Sequence, residues 1–246
     1  MGSLVEWFRR RLLDGGNTVT VIGSGGKTSL IWRMAAGLSG AAGPFRRILV
    51  TPTTKMFVPE GKPYDRYCGG VPPEPVPGVT LAGFFNEKSG KLESLPPEEL
   101  ERIRHGYDLV LIEGDGARGL PLKAWAEDEP VIPSFTNITV GILPLWPLGK
   151  PVTEKIIHRL PLFASLSGAE EGELLKPEHI RRVISGWAGN PGLFARARGS
   201  RILFFNQTED SRALMQAREL AEHLPPRFPD AIIAGSVRDN LVTELR

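Results

Sequence analysis

The chain has a single cysteine, Cys68, in 246 residues, which excludes an internal disulfide and any zinc cluster built on thiolates. A lone thiol suits a reducing compartment, and it reads as a small apolar filler. Histidine is scarce too. His105, His158, His179 and His223 fall on different predicted helices and form no metal-binding spacing. There is no Gly-x-Ser-x-Gly elbow and no nearby Cys/His pair, so covalent catalysis by serine or cysteine has no anchor. An excess of one charge is also missing. Lys+Arg total 30 against Asp+Glu 28, a net +2, without the concentrated basic face that nucleic acid requires. No apolar run approaches the ~18 residues of a membrane span. The opening MGSLVEWFRRRLL places Leu4, Phe8 and Leu12 on one side of an amphipathic helix and lacks the apolar core of a signal peptide. Glu6 breaks the myristoylation pattern. The expectation is a soluble cytoplasmic protein with no nucleic-acid and no membrane partner.

Hydrophobic residues make up 41 % of the chain, enough for a core of its own. Apolar runs recur at 18–22, 46–51, 108–113, 138–143, 201–206 and 231–235, mostly continuous rather than alternating, as in strands covered on both faces. Helical patterns lie between them at 27–39, 97–105, 154–166, 176–186 and 211–224, the last with Leu214, Ala217, Ala221 and Leu224 on one face. Strands alternating with helices predict the α/β class: a P-loop-like nucleotide-binding domain, mainly parallel, with helices on both faces. The reading takes 1–246 as one such domain. Residues 57–96 interrupt the alternation, first with a Pro/Gly-rich stretch, then with VTLAGFFNEKSGKLESL, which reads as a hairpin turning near Lys88-Ser89-Gly90. They are taken as an insertion of loop plus hairpin, a lid or a surface excursion.

The chemistry concentrates in TVTVIGSGGKTSL (18–30). A β-branched strand leads into Gly23, Ser24, Gly25, Gly26, Lys27, Thr28 and Ser29, and a helix-compatible run follows. Glycines let backbone N–H groups approach phosphate oxygens, and a helix N-terminus adds partial positive charge. In this arrangement Lys27 faces the β- and γ-phosphates and the Thr28 hydroxyl ligates Mg²⁺. The standard G-x-x-x-x-G-K-[ST] pattern needs glycine at position 21, where Val21 stands. The shorter G-S-G-G-K-T resembles the loop of Mur-type ligases.

A second concentration is DLVLIEGDGARGLPLKAWAEDEPVIP (108–133). Glu113 ends the strand and Asp115 follows in the loop, a pair placed to share one Mg²⁺ through period-2 geometry. The Glu-Gly pair resembles the strand end of dethiobiotin synthetases and of several GTPases that serve metal-cofactor assembly; an acidic turn is the plain alternative. Arg118 and Lys123 come next, one a planar fork and the other a point charge, either suited to phosphate or to an anionic substrate. At the end of the second strand stand Thr51, Thr53, Thr54 and Lys55, with hydroxyls in reach of a γ-phosphate, although threonine is also an ordinary strand residue. Asn206-Gln207-Thr208-Glu209 ends a later strand where guanine-specific GTPases carry N-K-x-D. Gln207 replaces the lysine and Glu209 stands at the aspartate position. Asn206 is a candidate for the base edge, with adenine and guanine both open.

In their order, IGSGGKTSL, TPTTKM, LVLIEGDGARGLPLKAWAEDEPVIP, a later His-Arg, FFNQTED and IIAGSVRD resemble the YqeC-type selenium-dependent hydroxylase accessory proteins, also called selenium cofactor biosynthesis proteins. The resemblance spans most of the chain. It implies a purine nucleotide (ATP or GTP) bound with Mg²⁺, and a role as accessory factor in selenium or molybdenum cofactor maturation of a hydroxylase. It points to Lys27, Thr28, Glu113, Asp115, Arg118 and Lys123. A probable NTPase is the first expectation. A Mur-ligase-like or kinase-like enzyme acting on a cofactor precursor, and a non-hydrolysing nucleotide-gated chaperone of the hydroxylase, are the alternatives.

Overall fold

The computed structural model describes residues 2–40 and 43–246. In chain order the strands are β1 (Gly2–Ser3), β2 (Thr18–Gly23), β3 (Arg47–Pro52), β4 (Lys55–Phe57), β5 (Arg66–Cys68), β6 (Gly78–Ala82), β7 (Phe84–Asn86), β8 (Lys91–Glu93), β9 (Leu109–Glu113), β10 (Leu122–Lys123), β11 (Ile138–Pro144), β12 (Ile157–His158), β13 (Ser200–Asn206), β14 (Ala231–Ser236) and β15 (Leu241–Glu244). The helices are α1 (Leu4–Gly15), α2 (Lys27–Leu38), α3 (Pro97–Ile103), α4 (Leu160–Ser167), α5 (Pro177–Ser185) and α6 (Ser211–Glu222).

Ten strands form one sheet in the order β1-β15-β14-β13-β11-β2-β9-β3-β6-β5. From β14 to β5 every neighbouring pair is parallel, and at one edge β15 runs antiparallel to both its neighbours, β14 and β1. The mixed α/β architecture with a large, mostly parallel sheet is as the sequence predicts. All six apolar runs are strands of this sheet.

Strand periodicity decides which helix covers which face. In β13, Ile202 and Phe204 turn to the layer that holds α1 and α2, while Leu203 and Phe205 turn to the opposite layer. In β9, Leu109 and Leu111 lie on the α1/α2 side, and Val110 and Ile112 meet Leu100 and Ile103 of the α3 region on the other. Each fully buried Leu, Ile or Phe contributes about 1.5–3 kcal/mol, so the register is held by both faces at once. The chain leaves β2 for β3 on one side, returns to β9, then crosses to β11 on the other. The carboxyl end of β2 is therefore the point where the strand order reverses, and ligands of open α/β sheets bind at such a crevice.

Two local expectations change. The hairpin is limited to β7 and β8, which pair Phe84 with Glu93, whereas Gly78–Ala82 is a sheet strand parallel to β3. The 57–96 segment thus adds β5 and β6 to the sheet edge and contributes to a separate antiparallel sheet, β4-β8-β7. Alternating burial in β6, with Val79 and Leu81 against one layer and Ala82 against the other, explains why it joins the main sheet. The helix expected over 154–166 begins only at Leu160, because Ile157–His158 pairs with Leu122–Lys123 as a short strand.

Candidate functional site

The glycine loop joins β2 to α2 at the point of strand reversal. Gly23 has φ +99° and Gly26 φ +137°. A Cβ at Gly23 would lie 2.3 Å from the Ile142 carbonyl oxygen, and one at Gly26 would lie 2.4 Å from the Asn206 amide nitrogen. Side chains are excluded there by both conformation and space. The Ser24 amide donates to the Ile142 carbonyl (2.9 Å) and its hydroxyl to the Pro121 carbonyl (2.8 Å), which pins the loop between β11 and the 116–121 turn. Gly26 is the N-cap of α2, and no side chain caps it. The first-turn amides of Lys27, Thr28 and Ser29 have no intrahelical acceptor and open on a cavity of about 250 Å³. Buried Lys27 rests its ammonium on the Gly23 carbonyl oxygen (2.8 Å) and faces Asp115 (3.3 Å).

Parity along β9 places the carboxylate beside this loop. Leu109 and Leu111 face the α2 layer, so Glu113 does too. Its Oε2 accepts a hydrogen bond from the Thr28 hydroxyl at 2.7 Å. Burial pushes the Glu113 carboxyl up, against the opposing pull of Lys27 and the Thr28 hydrogen bond. One carboxylate and one hydroxyl are therefore held together at the mouth of the loop, the donor set a hard divalent cation uses next to phosphate oxygens. Among the described residues no three His, Cys, Asp or Glu side chains form a metal-holding group, so such an ion would need oxygens from a ligand or water.

Asp115 is placed differently from the expectation that it shares this ion. It is fully buried, and its carboxylate accepts from the Gly23 amide (3.0 and 3.2 Å) and the Trp125 indole (2.6 Å). Lys27 and Lys123 flank it at 3.3 and 3.1 Å. With its lone pairs taken, Asp115 shapes the glycine loop, and the oxygens left at the mouth of the loop are those of Glu113 and Thr28. Lys123 requires a correction as well. It is 0 % exposed, and its ammonium is surrounded by the Gly116 carbonyl (2.6 Å), Glu129 (2.9 Å) and Asp115. No donor is left for a substrate anion.

Arg118 does reach the site. It lies on the exposed turn that lines the same cavity as Gly25–Ser29 and Glu113, with φ +51°, and makes no ion pair among the described residues. Lys55, at the strand end singled out in the sequence, shares this wall with Phe57 and Lys91, two residues of the small sheet that the sequence did not point to. Lys91 sits over the Phe57 ring at 4.3 Å, and Lys55 pairs with Glu93 at 2.8 Å. Lys91 carries no distinguishing sequence signal; only the fold of β4-β8-β7 brings it here.

Thr53 donates to the Val131 carbonyl (2.6 Å), so its hydroxyl ties down the strand end, whereas the Thr54 hydroxyl is buried without a partner. Asn206 occupies both ends of its amide, donating to the Gly25 carbonyl (2.8 Å) and accepting from the Val237 amide (3.0 Å). It fastens the glycine loop to the end of β14 instead of presenting itself to a base edge.

Glu129 bridges Lys123 and Arg159. Burial opposes its ionisation, but the Arg159 hydrogen bonds and the Lys123 charge prevail and hold its carboxyl at about 2. A carboxyl lowered on folding stabilises the protein above its ordinary range near 4.5, and the contribution fades as pH falls through about 2. Glu129→Gln is accordingly expected to cost about 2–3 kcal/mol in urea unfolding at pH 7. The gap from the parent narrows at pH 3; a gap of the same size at both pH values would disprove the assignment. His158 is pushed down by burial first and then by Arg159, Lys123 and Arg118, so its imidazole is held neutral beside this network.

A family profile described as "YqeC protein" matches residues 19–161, from the strand before the glycine loop to the start of α4. That stretch contains Lys27, Thr28, Glu113, Asp115, Arg118 and Lys123. The chain belongs to the YqeC family. It is similar to the "Uncharacterized protein YqeC" of Escherichia coli (strain K12), with 29 % identity over 234 residues, covering 90 % of this chain and 88 % of that one. No solved structure matches this YqeC chain. Among its described residues, no helix is long and apolar enough to cross a membrane.

Proposed function

We propose that this YqeC-family chain binds a purine nucleoside triphosphate with Mg²⁺ and uses it as an accessory factor in selenium or molybdenum cofactor maturation of a hydroxylase. The observation that carries the nucleotide reading is the Thr28–Glu113 hydrogen bond of 2.7 Å beside the uncapped start of α2. A polyanion answers each feature of this cavity. The amides of Gly26 to Ser29 donate to phosphate oxygens at the start of the helix. Lys27 exchanges its contact with the Gly23 carbonyl for one with the phosphate chain. Mg²⁺, when bound, neutralises charge on the β- and γ-phosphate oxygens. Glu113 orients the Thr28 hydroxyl toward that ion and balances its charge. The accessory role rests on the resemblance of the ordered motifs to the selenium-dependent hydroxylase accessory proteins.

One observation favours transfer over plain hydrolysis. Lys55, Lys91 and Arg118 line the same cavity as the amides and suit an anionic acceptor that receives the phosphoryl or nucleotidyl group. A phosphorylated or adenylated precursor among the products would establish that reading. Binding without turnover, with co-purification of the hydroxylase, would establish a nucleotide-gated chaperone.

Thermal-shift titration with ATP and GTP, with and without Mg²⁺, tests the proposal. Saturation at about 100 Kd stabilises the folded protein by about 2.7 kcal/mol. Glu113→Gln is expected to remove most of the Mg²⁺-dependent part while leaving the metal-free shift. If Mg²⁺ dependence survives the change, Glu113 is only a partner for Thr28.

A further inference from the structure

We propose that the groove running from the glycine loop along α2 reads a guanine base through the carboxylate of Glu209; this rests on the nucleotide reading above. The groove has a volume of about 430 Å³ and shares Gly26 and Ser29 with the phosphate-side cavity, so the two spaces adjoin at the start of α2. Ser29, Trp32, Arg33 and Ala36 recur at helical spacing along its α2 wall. A nucleotide whose phosphates meet the start of α2 extends its base in this direction.

The other wall is built by the chain segments after β13 and β14. Asn206 locks both to the glycine loop through its bonds to Gly25 and Val237. Arg33 fixes the second segment by donating to the Val237 carbonyl (3.1 Å) and the Arg238 carbonyl (2.7 Å). Arg238 pairs with Asp239 at 3.3 Å. Glu209 is the one carboxylate lining the groove among the described residues, and it makes no hydrogen bond or ion pair there. The wall thus presents one carboxylate fork without a hydrogen-bond partner, close enough to Arg238 to add, after Asp239, to the upward shift of its pKa.

The fork selects among bases by donor pattern. A carboxylate has acceptors only. Guanine offers two adjacent donors, N1–H and the N2 amino group, and both oxygens are answered. Adenine sets its N6 amino group beside the N1 lone pair, and cytosine its N4 amino group beside N3, so one oxygen would oppose a lone pair. Bidentate charge-assisted pairs of this kind supply strong discrimination between bases.

The test is equilibrium titration of the whole protein with ribose-labelled fluorescent GDP and ADP in Mg²⁺, which leave the base unmodified. GDP is expected to bind at least about tenfold tighter than ADP. Glu209→Gln is expected to weaken GDP at least about tenfold while ADP changes little. The same variant should gain affinity for xanthosine diphosphate, because the amide donates to the xanthine O2 and accepts from N1–H. Glu209 is exposed, so an unchanged melting temperature is expected for the variant. Equal or tighter ADP binding by the parent, or unchanged GDP binding by the variant, overturns the guanine assignment while the nucleotide proposal stands. Failure of both nucleotides to bind overturns the two together.

Discussion

Lys27→Ala is expected to weaken Mg²⁺-nucleotide binding by about 100-fold, or about 2.7 kcal/mol, while the protein remains folded. The ammonium is buried at the floor of the glycine loop, on the Gly23 carbonyl and in the first turn of α2. No neighbour among the described residues replaces it: Lys123 is enclosed, and Arg118 lies on an exposed turn. The fold survives because Asp115 keeps the Gly23 amide, the Trp125 indole and Lys123 when Lys27 is lost. The stability cost is therefore about 1–3 kcal/mol, smaller than that of stripping the carboxylate of both cations. Melting curves with and without Mg²⁺-GTP separate the two effects. A variant that binds as the parent does would place the phosphates elsewhere and remove the basis of the proposed function.

The second large effect is on stability. Lys123→Met is expected to destabilise the protein by about 3–5 kcal/mol, since it leaves Asp115 and Glu129 without the charge between them. That is a large part of the 5–15 kcal/mol by which domains are typically stable. Asp115 is 0 % exposed and cannot turn to water for compensation. The damage should spread to the loop, because Asp115 also holds the Gly23 amide. Urea unfolding without nucleotide measures it directly. Were Lys123 a substrate-binding residue, the variant would lose affinity and keep its stability, so the same measurement decides between the two roles.

The contrast between Lys27 and Lys123 shows where sequence reading stops. Both lysines stand in glycine-containing segments near the ends of predicted strands. Lys27 is directly followed by a helix, so its relation to backbone amides is local and legible. Lys123 stands ten residues beyond Glu113, and its surroundings depend on how the chain returns through β10, on Glu129 in a later turn and on the burial of Asp115. Arg118 and Lys123 looked equivalent in sequence; the fold exposes one and encloses the other. Asn206 shows the same limit. Its place at a strand end was legible, but its bonds to Gly25 and Val237 join segments about 180 and 30 residues away.

By itself the sequence determined the α/β class, the six main strands, the glycine loop with its helix and the place of Glu113 at the end of β9. These follow from periodicities of two and 3.6 residues and from glycine's tolerance of positive φ, all properties of neighbouring residues. The tertiary structure alone decided that Gly78–Ala82 joins the main sheet, that Lys55 and Lys91 come to the cavity, that Lys123 and Asp115 neutralise each other inside the protein and that Glu209 stands beside α2. Each of these depends on long-range pairing. Burial sets whether a charged side chain is free or engaged, and burial is fixed only when distant segments pack together.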